Sequence, residues 1–322
     1  MATLPPASMT RFAVNRFVVL GRVGMDLYAD PPGTRVEQAL RFTAALGGSA
    51  GNIAVALARQ GAGASLLTCV SDDAVGRYCL AELDRYGVDR SAVLAVPARN
   101  ALAVTETCAT DCQVAIYRNG AADLTLSQAQ VAALDYAATS ALVVTGTALS
   151  AEPSRSAALH AIDLARAAGA LTVLDLDYRS TAWATPAGAA SVCLRAAQAC
   201  DIVIGNDEEF GLIAGGYDRG EGLARDLAAG ALFTVYKRGA EGSTAFTASG
   251  QVGTPIFPVK AQKPMGAGDG FMGGLLAALA RGDPLDLALR CGAATAAIIV
   301  AGIGCAPASP DLATLDSFMA KF

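Results

Sequence analysis

Short apolar runs alternate along this chain with longer, alanine-rich stretches of helical spacing. The first run, Phe17–Gly21, ends in glycine, and a loop containing Asp26 is expected to follow it. Similar runs recur at residues 65–70, 142–144, 171–174, 202–204 and 232–235. Strands separated by helices at this spacing indicate βαβ units, so the pattern predicts an α/β fold with a mainly parallel sheet.

A different pattern interrupts this alternation. Residues 101–107 and 112–118 alternate apolar and polar side chains on either side of a short Ala109–Thr110–Asp111 turn. That period of two predicts an antiparallel hairpin outside the main sheet. Together with the region around 34–46, the hairpin is expected to form a small β lid, which we place at about 27–46 and 101–122 within a single domain of residues 1–322.

The composition narrows the class of protein. The 322 residues are 53% hydrophobic and 16% charged, which is ample material for a large buried sheet with covering helices. A net charge of −5 and the lack of any Lys/Arg run argue against a nucleic-acid partner. The first sixteen residues lack the apolar core of a secretory signal, and the longest apolar run, 291–305, is too short to span a bilayer. A soluble, cytoplasmic protein without a membrane partner is expected.

The most informative stretch is the glycine-rich segment 263–274, in which Gly266, Gly268 and Asp269 precede an apolar run of helical spacing. This order predicts a helix that starts near Asp269. The first N–H groups of a helix have no partner within it, and the helix field favours negative charge there, so phosphate oxygens fit that position. The alternative is an acidic cap on a glycine-rich turn. Because it lies at a helix start, Asp269 is expected to be ionised at neutral pH.

Two further segments suggest a polar ligand. Asp26 follows the first strand, at the sheet edge where open α/β sheets bind ligands, although a surface turn acid gives the same pattern. Gly47 and Gly48 open a second helix in which Asn52 lies in the first turn, suited to a polyol or to capping the helix. The phosphate-binding sequence GxxxxGK[ST] is absent, so a nucleotide needs another mode of binding.

Acidic and basic side chains follow three later strands. Acids at 175–179 and 206–209 suit Mg²⁺ bound through water, with a solvated helix start as the alternative, while Lys237 to Gly242 places cations and glycines where phosphates can be held. His160 is the only histidine, and the eight cysteines form no CxxC pair. A zinc site or a histidine-based catalytic arrangement is therefore not expected.

Four of these segments together resemble one family. The elements Gly47–Asn52 (GGxxxN), Asn206–Glu209 (NxxE), Lys237–Gly242 (KxGxxG) and Gly266–Asp269 (GAGD) occur in the order and spacing of the ribokinase-like (PfkB-type) sugar kinases. The resemblance covers residues 16 to 321. It implies a doubly wound sheet flanked by helices, with a small β lid.

The resemblance also implies a reaction, with ATP and Mg²⁺ as cofactors. Asp269 would accept the proton of the substrate's primary hydroxyl as that oxygen attacks the γ-phosphate of ATP. The roles implied for the other residues are an anion hole at Gly266, Ala267 and Gly268; nucleotide binding by Asn206, Lys237, Gly239 and Gly242; Mg²⁺ near Glu209 through water; and substrate binding by Arg22, Asp26, Gly47, Gly48, Asn52, Tyr117, Arg118 and Arg179.

Within the family, the stretches at 21–28, 117–123, 175–179 and 304–310 resemble the kinase of bacterial inositol catabolism, which implies 5-dehydro-2-deoxy-D-gluconate as the substrate. 2-Dehydro-3-deoxygluconate and a neutral sugar such as fructose or ribose are the alternatives. A guanidinium grips a planar carboxylate through two parallel hydrogen bonds, so arginines beside a polyol site favour a sugar acid. The competing interpretation is that Arg118 and Arg179 pair with Asp123, Asp175 or Asp177.

Two expectations concern potassium and assembly. Many relatives carry an acid and a threonine where this chain has Lys263, Pro264 and Met265, and in potassium-activated relatives that acid helps to bind K⁺. The departure weighs against K⁺ activation. Exposed apolar side chains of the lid are expected to support a homodimer, as in dimeric relatives.

Overall fold

A computed structural model describes residues 3–108 and 110–322, so the predicted turn at Ala109 lies partly outside the described residues. The strands are β1 Arg16–Leu20, β2 Gly24–Asp30, β3 Arg41–Gly47, β4 Gly63–Ser71, β5 Val93–Val96, β6 Ala101–Thr105, β7 Val114–Tyr117, β8 Ala141–Thr145, β9 Leu171–Asp175, β10 Ile202–Asn206, β11 Phe233–Lys237, β12 Ser243–Thr247 and β13 Gly250–Thr254. The helices are α1 Pro6–Phe12, α2 Ser49–Arg59, α3 Ala74–Arg85, α4 Gln128–Ala132, α5 Ser154–Ala167, α6 Pro186–Ala199, α7 Asp207–Ala214, α8 Gly220–Leu227, α9 Ala267–Ala280, α10 Leu285–Val300 and α11 Leu312–Met319.

Nine strands form the larger sheet, in the order β13-β12-β11-β10-β9-β8-β1-β4-β5. The seven strands from β11 to β5 pair in parallel, and the hairpin β12–β13 adds two antiparallel strands at one edge. The predicted α/β fold with a mainly parallel sheet is confirmed.

Helices cover both faces of this sheet, because alternate side chains of each strand point to opposite sides. In β1, Phe17 and Val19 join the core that includes Leu275 of α9. Val18 belongs to the other core, which includes Ile162 of α5. Since such strands are buried on both faces, they are continuous apolar runs in the sequence, which is why they were predictable.

The smaller sheet has four strands in the order β3-β2-β6-β7. Strands β6 and β7 are antiparallel, with Leu102 opposite Tyr117, which confirms the hairpin outside the main sheet. The segment predicted as a loop after β1 is instead strand β2. Met25 pairs with Leu46 of β3 and with Leu102 of β6, so partners that are distant in sequence supply its backbone hydrogen bonds. That this sheet acts as a lid stays a prediction.

No helix formed by the described residues has both the length and the apolar character needed to cross a bilayer.

Candidate active site

The amino-terminal end of α9 leaves a set of backbone N–H groups unpaired. Its first internal hydrogen bond runs from the Gly270 N–H to the Gly266 carbonyl oxygen (3.0 Å), so the N–H groups of residues 267–269 have no partner within the helix. Gly266 has a φ of 80°, and a Cβ there would lie 2.5 Å from the Cys305 sulfur. Only glycine fits this turn without strain, and three amide donors converge beside Asp269.

Asp269 lies in the first turn of α9 and is 9% exposed. Its Oδ2 accepts a hydrogen bond from Asn52 Nδ2 at 2.7 Å. Burial, together with repulsion from Asp177, raises the pKa of Asp269 to about 6, against the opposing effects of Asn52, Arg179 and Lys237. Burial thus outweighs the helix field that the sequence suggested would dominate. With a pKa of about 6, the side chain is still mainly a carboxylate at neutral pH.

Asp26 lies in β2, against the glycine pair that precedes α2. A Cβ on Gly47 would lie 2.1 Å from the Asp26 carboxyl carbon, so the glycine gives the carboxylate its space. Tyr28 Oη donates to Asp26 Oδ2 at 3.5 Å. Burial raises the pKa of Asp26, which Arg22 partly opposes. Gly48 has a φ of 89° and packs against the Arg22 carbonyl oxygen, so the start of α2 and Arg22 are held together.

Three buried polar atoms around this point have no hydrogen-bond partner among the described residues. They are Asp26 Oδ1, Asn52 Oδ1 and Arg22 Nη1. An unpaired buried polar group is costly, so three of them around one point favour a ligand that supplies the missing hydrogen bonds. Two acceptors and one charged donor form a set suited to hydroxyl groups and an anionic group.

Of these three residues, Arg22 also lines a cavity of about 200 Å³, together with Arg118 and Arg179. Arg118 is already engaged. Its guanidinium pairs with Asp123 and donates to Ser150 Oγ (3.1 Å) and to the Thr147 carbonyl (3.0 Å).

Arg179 pairs with Asp177 at 3.0 Å and remains half exposed. The alternative in which Arg118 and Arg179 pair with neighbouring acids therefore describes this structure. Arg22 differs from both, because within the described residues no acid forms an ion pair with it and its buried Nη1 has no hydrogen-bond partner.

Tyr117 is not brought to this cavity. Its neighbours Ile116 and Arg118 line the cavity, whereas the Tyr117 side chain is 61% exposed. Successive side chains of a strand point to opposite faces, so Tyr117 at the end of β7 turns outward. The prediction of Tyr117 as a substrate contact has no support in this geometry.

Asn206 and Glu209 form a capping box at the start of α7. Glu209 Oε2 accepts from the Asn206 N–H (2.7 Å), Asn206 Oδ1 accepts from the Glu209 N–H (2.8 Å), and Glu209 Oε1 accepts from the Tyr178 N–H (3.1 Å). Burial raises the pKa of Glu209. Both carboxylate oxygens are therefore occupied by backbone donors, so Glu209 caps a helix start as in the alternative interpretation, but its side chain is buried and not solvated. A contact from Glu209 to a cation through a water molecule would leave both of its hydrogen bonds to backbone N–H groups in place.

Several acids gather close to Asp269. Burial raises the pKa of Asp175 well above its usual range, and the charges of Asp177, Glu209 and Asp269 add to this effect. Lys237 opposes it. In the described part of the chain, no three His, Cys, Asp or Glu side chains are arranged to hold a metal ion by themselves. Mg²⁺ needs only one or two carboxylates when phosphates and water supply the other ligands, so the residues present fit a metal carried by a nucleotide.

Lys237 lies beside the three free amides. A Cβ on Gly268 would be 3.2 Å from the Lys237 ammonium, so the glycine gives the cation room at the mouth of α9. Gly239 and Gly242 follow with φ values of 50° and 85°. Lys237 and the amides of 267–269 thus place positive charge close to Asp269.

Sequence reasoning missed several polar residues that shape the site. Thr147 donates to Asp177 Oδ2 at 3.1 Å, and Ser150 contacts Arg118. Both lie in the turn after β8. Their position after an apolar run was the available signal, because loops at the carboxyl ends of parallel strands face the ligand side of such sheets.

The chain is similar to known proteins over nearly its whole length. Residues 14–312 match the pfkB family carbohydrate kinase. A relative from Photobacterium profundum, named 5-dehydro-2-deoxygluconokinase, is 39% identical over 310 residues and 94% of each chain. A relative with the same name from Geobacillus kaustophilus is 35% identical, over 94% of this chain and 93% of the relative.

Among solved structures, the PfkB protein from Polaromonas sp. JS666 has a TM-score of 0.81 and 30% identity, covering 94% of this chain and 99% of that chain. The predicted ribokinase-like fold is thereby confirmed. The chain belongs to the pfkB family of carbohydrate kinases and is a phosphotransferase that acts on a sugar hydroxyl.

Proposed function

We propose that the protein transfers the γ-phosphoryl group of ATP to the primary hydroxyl of 5-dehydro-2-deoxy-D-gluconate. The observation that carries this proposal is the set of unpartnered buried atoms Asp26 Oδ1, Asn52 Oδ1 and Arg22 Nη1 beside Asp269, a set defined among the described residues. Two acceptors suit sugar hydroxyls, and the guanidinium nitrogen suits a carboxylate. The names of the two curated relatives support the same substrate.

Asp269 is the proposed general base. Its carboxylate would take the proton from the primary hydroxyl, while the amides of 267–269 and the Lys237 ammonium would stabilise charge on the phosphoryl group in transit. A positioned base contributes about 10² to 10⁴-fold to a rate. Asn52 would orient Asp269 through its amide nitrogen and accept from a substrate hydroxyl with its free oxygen.

The nucleotide would lie along Asn206, Lys237, Gly239 and Gly242, at the carboxyl ends of β10 and β11. Mg²⁺ carried with ATP neutralises phosphate charge when it is bound. Glu209 is proposed to act on its water shell, because both Glu209 oxygens already accept backbone N–H groups.

Arg22 is the proposed contact for the substrate carboxylate. Arg118 and Arg179 line the same cavity, but each is already paired with an acid. They would therefore contribute electrostatic attraction for the substrate carboxylate more than direct hydrogen bonds to it. Their pairing is also the observation that favours a second candidate, a neutral-sugar kinase, in which no free guanidinium is required. 2-Dehydro-3-deoxygluconate is the alternative among acids, since it offers the same carboxylate and a primary hydroxyl.

We also propose that the protein forms a homodimer through the outer face of the smaller sheet. The smaller sheet exposes Phe42 and Tyr117, whereas Asp26 and Tyr28 on the opposite face are buried.

We further propose that the reaction does not require K⁺. This proposal is supported by Lys263, which occupies the segment where potassium-activated relatives carry an acid.

A panel of acceptors tests the proposed function. Purified protein is incubated with ATP, Mg²⁺ and, in turn, 5-dehydro-2-deoxygluconate, 2-dehydro-3-deoxygluconate, fructose and ribose, and ADP release is followed. The highest kcat/KM is expected for the first acid, and Asp269→Asn should abolish turnover of every acceptor. A higher kcat/KM for a neutral sugar than for either acid would refute the substrate assignment, and unchanged turnover in Asp269→Asn would refute the assigned base.

A further inference from the structure

Lys263 is a fully buried lysine beside the amino-terminal end of α9, with a relative exposure of 0%. Its ammonium donates to the Met265 carbonyl (2.9 Å) and the Ile299 carbonyl (3.1 Å), and it contacts the Cys305 sulfur at 3.8 Å. Burying an ammonium is costly unless it is fully hydrogen-bonded. Such a group persists where its charge or its bonds are needed.

The three acceptors match the three N–H bonds of an ammonium group. A neutral amine has only two N–H bonds, and its lone pair would then face an acceptor. Burial raises the pKa of the Cys305 thiol to about 11, so this neighbour is uncharged. Two carbonyl oxygens and a neutral sulfur form the kind of surrounding in which carbonyl dipoles stabilise a monovalent cation.

The Met265 carbonyl is part of the same peptide unit as the Gly266 N–H. In a planar trans peptide, the C=O and N–H bonds point in opposite directions. When Lys263 holds the Met265 oxygen, it also fixes the plane of the Gly266 amide, the peptide unit that comes immediately before the three proposed anion-hole amides of residues 267–269. The position of this amide is therefore set by a side chain outside the reacting groups.

Lys263 also connects three elements around the site. Ile299 lies in the last turn of α10, where the helix field favours a cation, and its carbonyl also accepts the Gly302 N–H at 3.2 Å. Cys305 lies against Gly266 and makes a 3.4 Å contact with Tyr28 Oη, which in turn donates to Asp26. The ammonium thus joins the anion-hole turn and the end of α10 to the residues at the acceptor site.

We propose that the Lys263 ammonium is a built-in monovalent cation that positions the anion hole, so that catalysis proceeds without K⁺. Lys263 is a positioning residue, since it acts through the Met265–Gly266 peptide. This inference rests on the proposed kinase function and concerns how the anion-hole turn is held.

The test measures the cation dependence of turnover. Wild-type protein is assayed with tetramethylammonium as the only monovalent cation, and K⁺ is then added; kcat should stay unchanged. Lys263→Ala should lower kcat by about 10²-fold, with a smaller change in KM, because the amides are misplaced rather than the acceptor lost. K⁺, NH₄⁺ or methylammonium should restore part of this kcat, and tetramethylammonium should not, because it is too large and has no N–H group.

Lys260→Ala is the matched control, since Lys260 is an exposed lysine three residues earlier in the chain. It should retain wild-type kcat. Activation of the wild-type protein by K⁺, a folded Lys263→Ala variant with wild-type kcat, or a loss that no small cation relieves would each overturn the proposal. If Lys263→Ala does not fold, the K⁺ titration of the wild-type protein decides alone.

The failure of this inference is distinguishable from failure of the proposed function. Cation dependence is measured with whichever of the four acceptors gives turnover. A wrong acceptor in the panel then refutes the substrate assignment and leaves the Lys263 result intact.

Discussion

Asp269 and Asn52 show how two side chains set the working pH of the site. The carboxylate is buried next to another acid, and a single amide donor supports its charged form. Neither effect is visible in the sequence, where residue 269 resembles any acid at a helix start. The balance places the pKa near 6, within reach of ordinary assay conditions.

The acid limb of the pH profile should report this carboxylate. We expect kcat/KM to fall as the pH drops through about 6, because the base becomes protonated. In Asn52→Leu, the loss of the amide donor should raise the pKa of Asp269 and move that limb to higher pH. A pH series with both proteins checks this, and an unchanged midpoint in the variant would contradict the assigned contact.

The same carboxylate should reduce stability at neutral pH. Its pKa is raised from 3.8 in the unfolded chain to about 6 in the folded protein, so its contribution to stability is present below pH 3.8 and is lost as the pH rises through 6. Asp269→Asn removes this penalty. The variant should therefore unfold at a higher temperature than wild type at pH 8, and the gain should shrink towards pH 4.

Arg22 and Arg118 should respond differently to removal of charge. Arg22→Met removes a nitrogen without a partner in the described residues, so stability should change little while KM for the sugar acid rises about tenfold or more. Arg118→Met strands buried Asp123 and should cost about 3 kcal/mol or more of folding free energy. Kinetics and urea unfolding of both variants test this contrast; an Arg22→Met variant with unchanged KM would favour a neutral sugar.

At the scale of elements, the site depends on the first turns of helices. The turn before α9 exposes three amides, and the turn before α2 places Gly47 against Asp26. In both places a glycine leaves room that a side chain would fill. These were the parts of the site that the sequence predicted best, because glycine-rich helix starts are a local signal.

Gly266→Ala tests the turn before α9. Both Gly266 and Gly282 have a positive φ, so alanine at either position should cost about 1 kcal/mol through the backbone. Only at Gly266 would the new Cβ meet an atom, Cys305 Sγ at 2.5 Å, whereas nothing lies within 4 Å at Gly282. We expect Gly266→Ala to lose kcat by about 10²-fold and Gly282→Ala to retain it. Equal kcat in the two variants would argue against a role for this turn.

At the scale of the whole molecule, the sequence predicted the larger sheet more fully than the smaller one. Strands buried on both faces contain continuous apolar runs, as at residues 17–20 of β1 and 141–144 of β8, and are recognisable without their neighbours. Strand β2 carries Asp26 and takes its partners from β3 and β6, so its identity as a strand depends on pairing that the local sequence does not contain. The pairing of Arg118 with Asp123 could be named only as an alternative, since it depends on side-chain packing.

The outer face of the smaller sheet should decide the assembly. In the register of the sheet, Leu27 lies opposite Ala44 and Val104, and these half-exposed or exposed side chains form an apolar surface with Phe42. Light scattering should give the mass of two 32.5 kDa chains for the wild-type protein. Phe42→Glu should give monomers, whereas Leu287→Glu, at an exposed apolar residue of α10, should not. A monomeric wild-type protein would refute the proposed dimer.

The cap at the start of α7 bears on which divalent ions can serve the reaction. Both oxygens of Glu209 hold main-chain N–H groups, so an ion that stripped its own water to bind them directly would compete with the bonds that begin this helix. If Glu209 acts on Mg²⁺ through water, as proposed, the protein would offer little geometric discrimination and the triphosphate would select the ion. Manganese or cobalt should accordingly replace magnesium with little loss of rate.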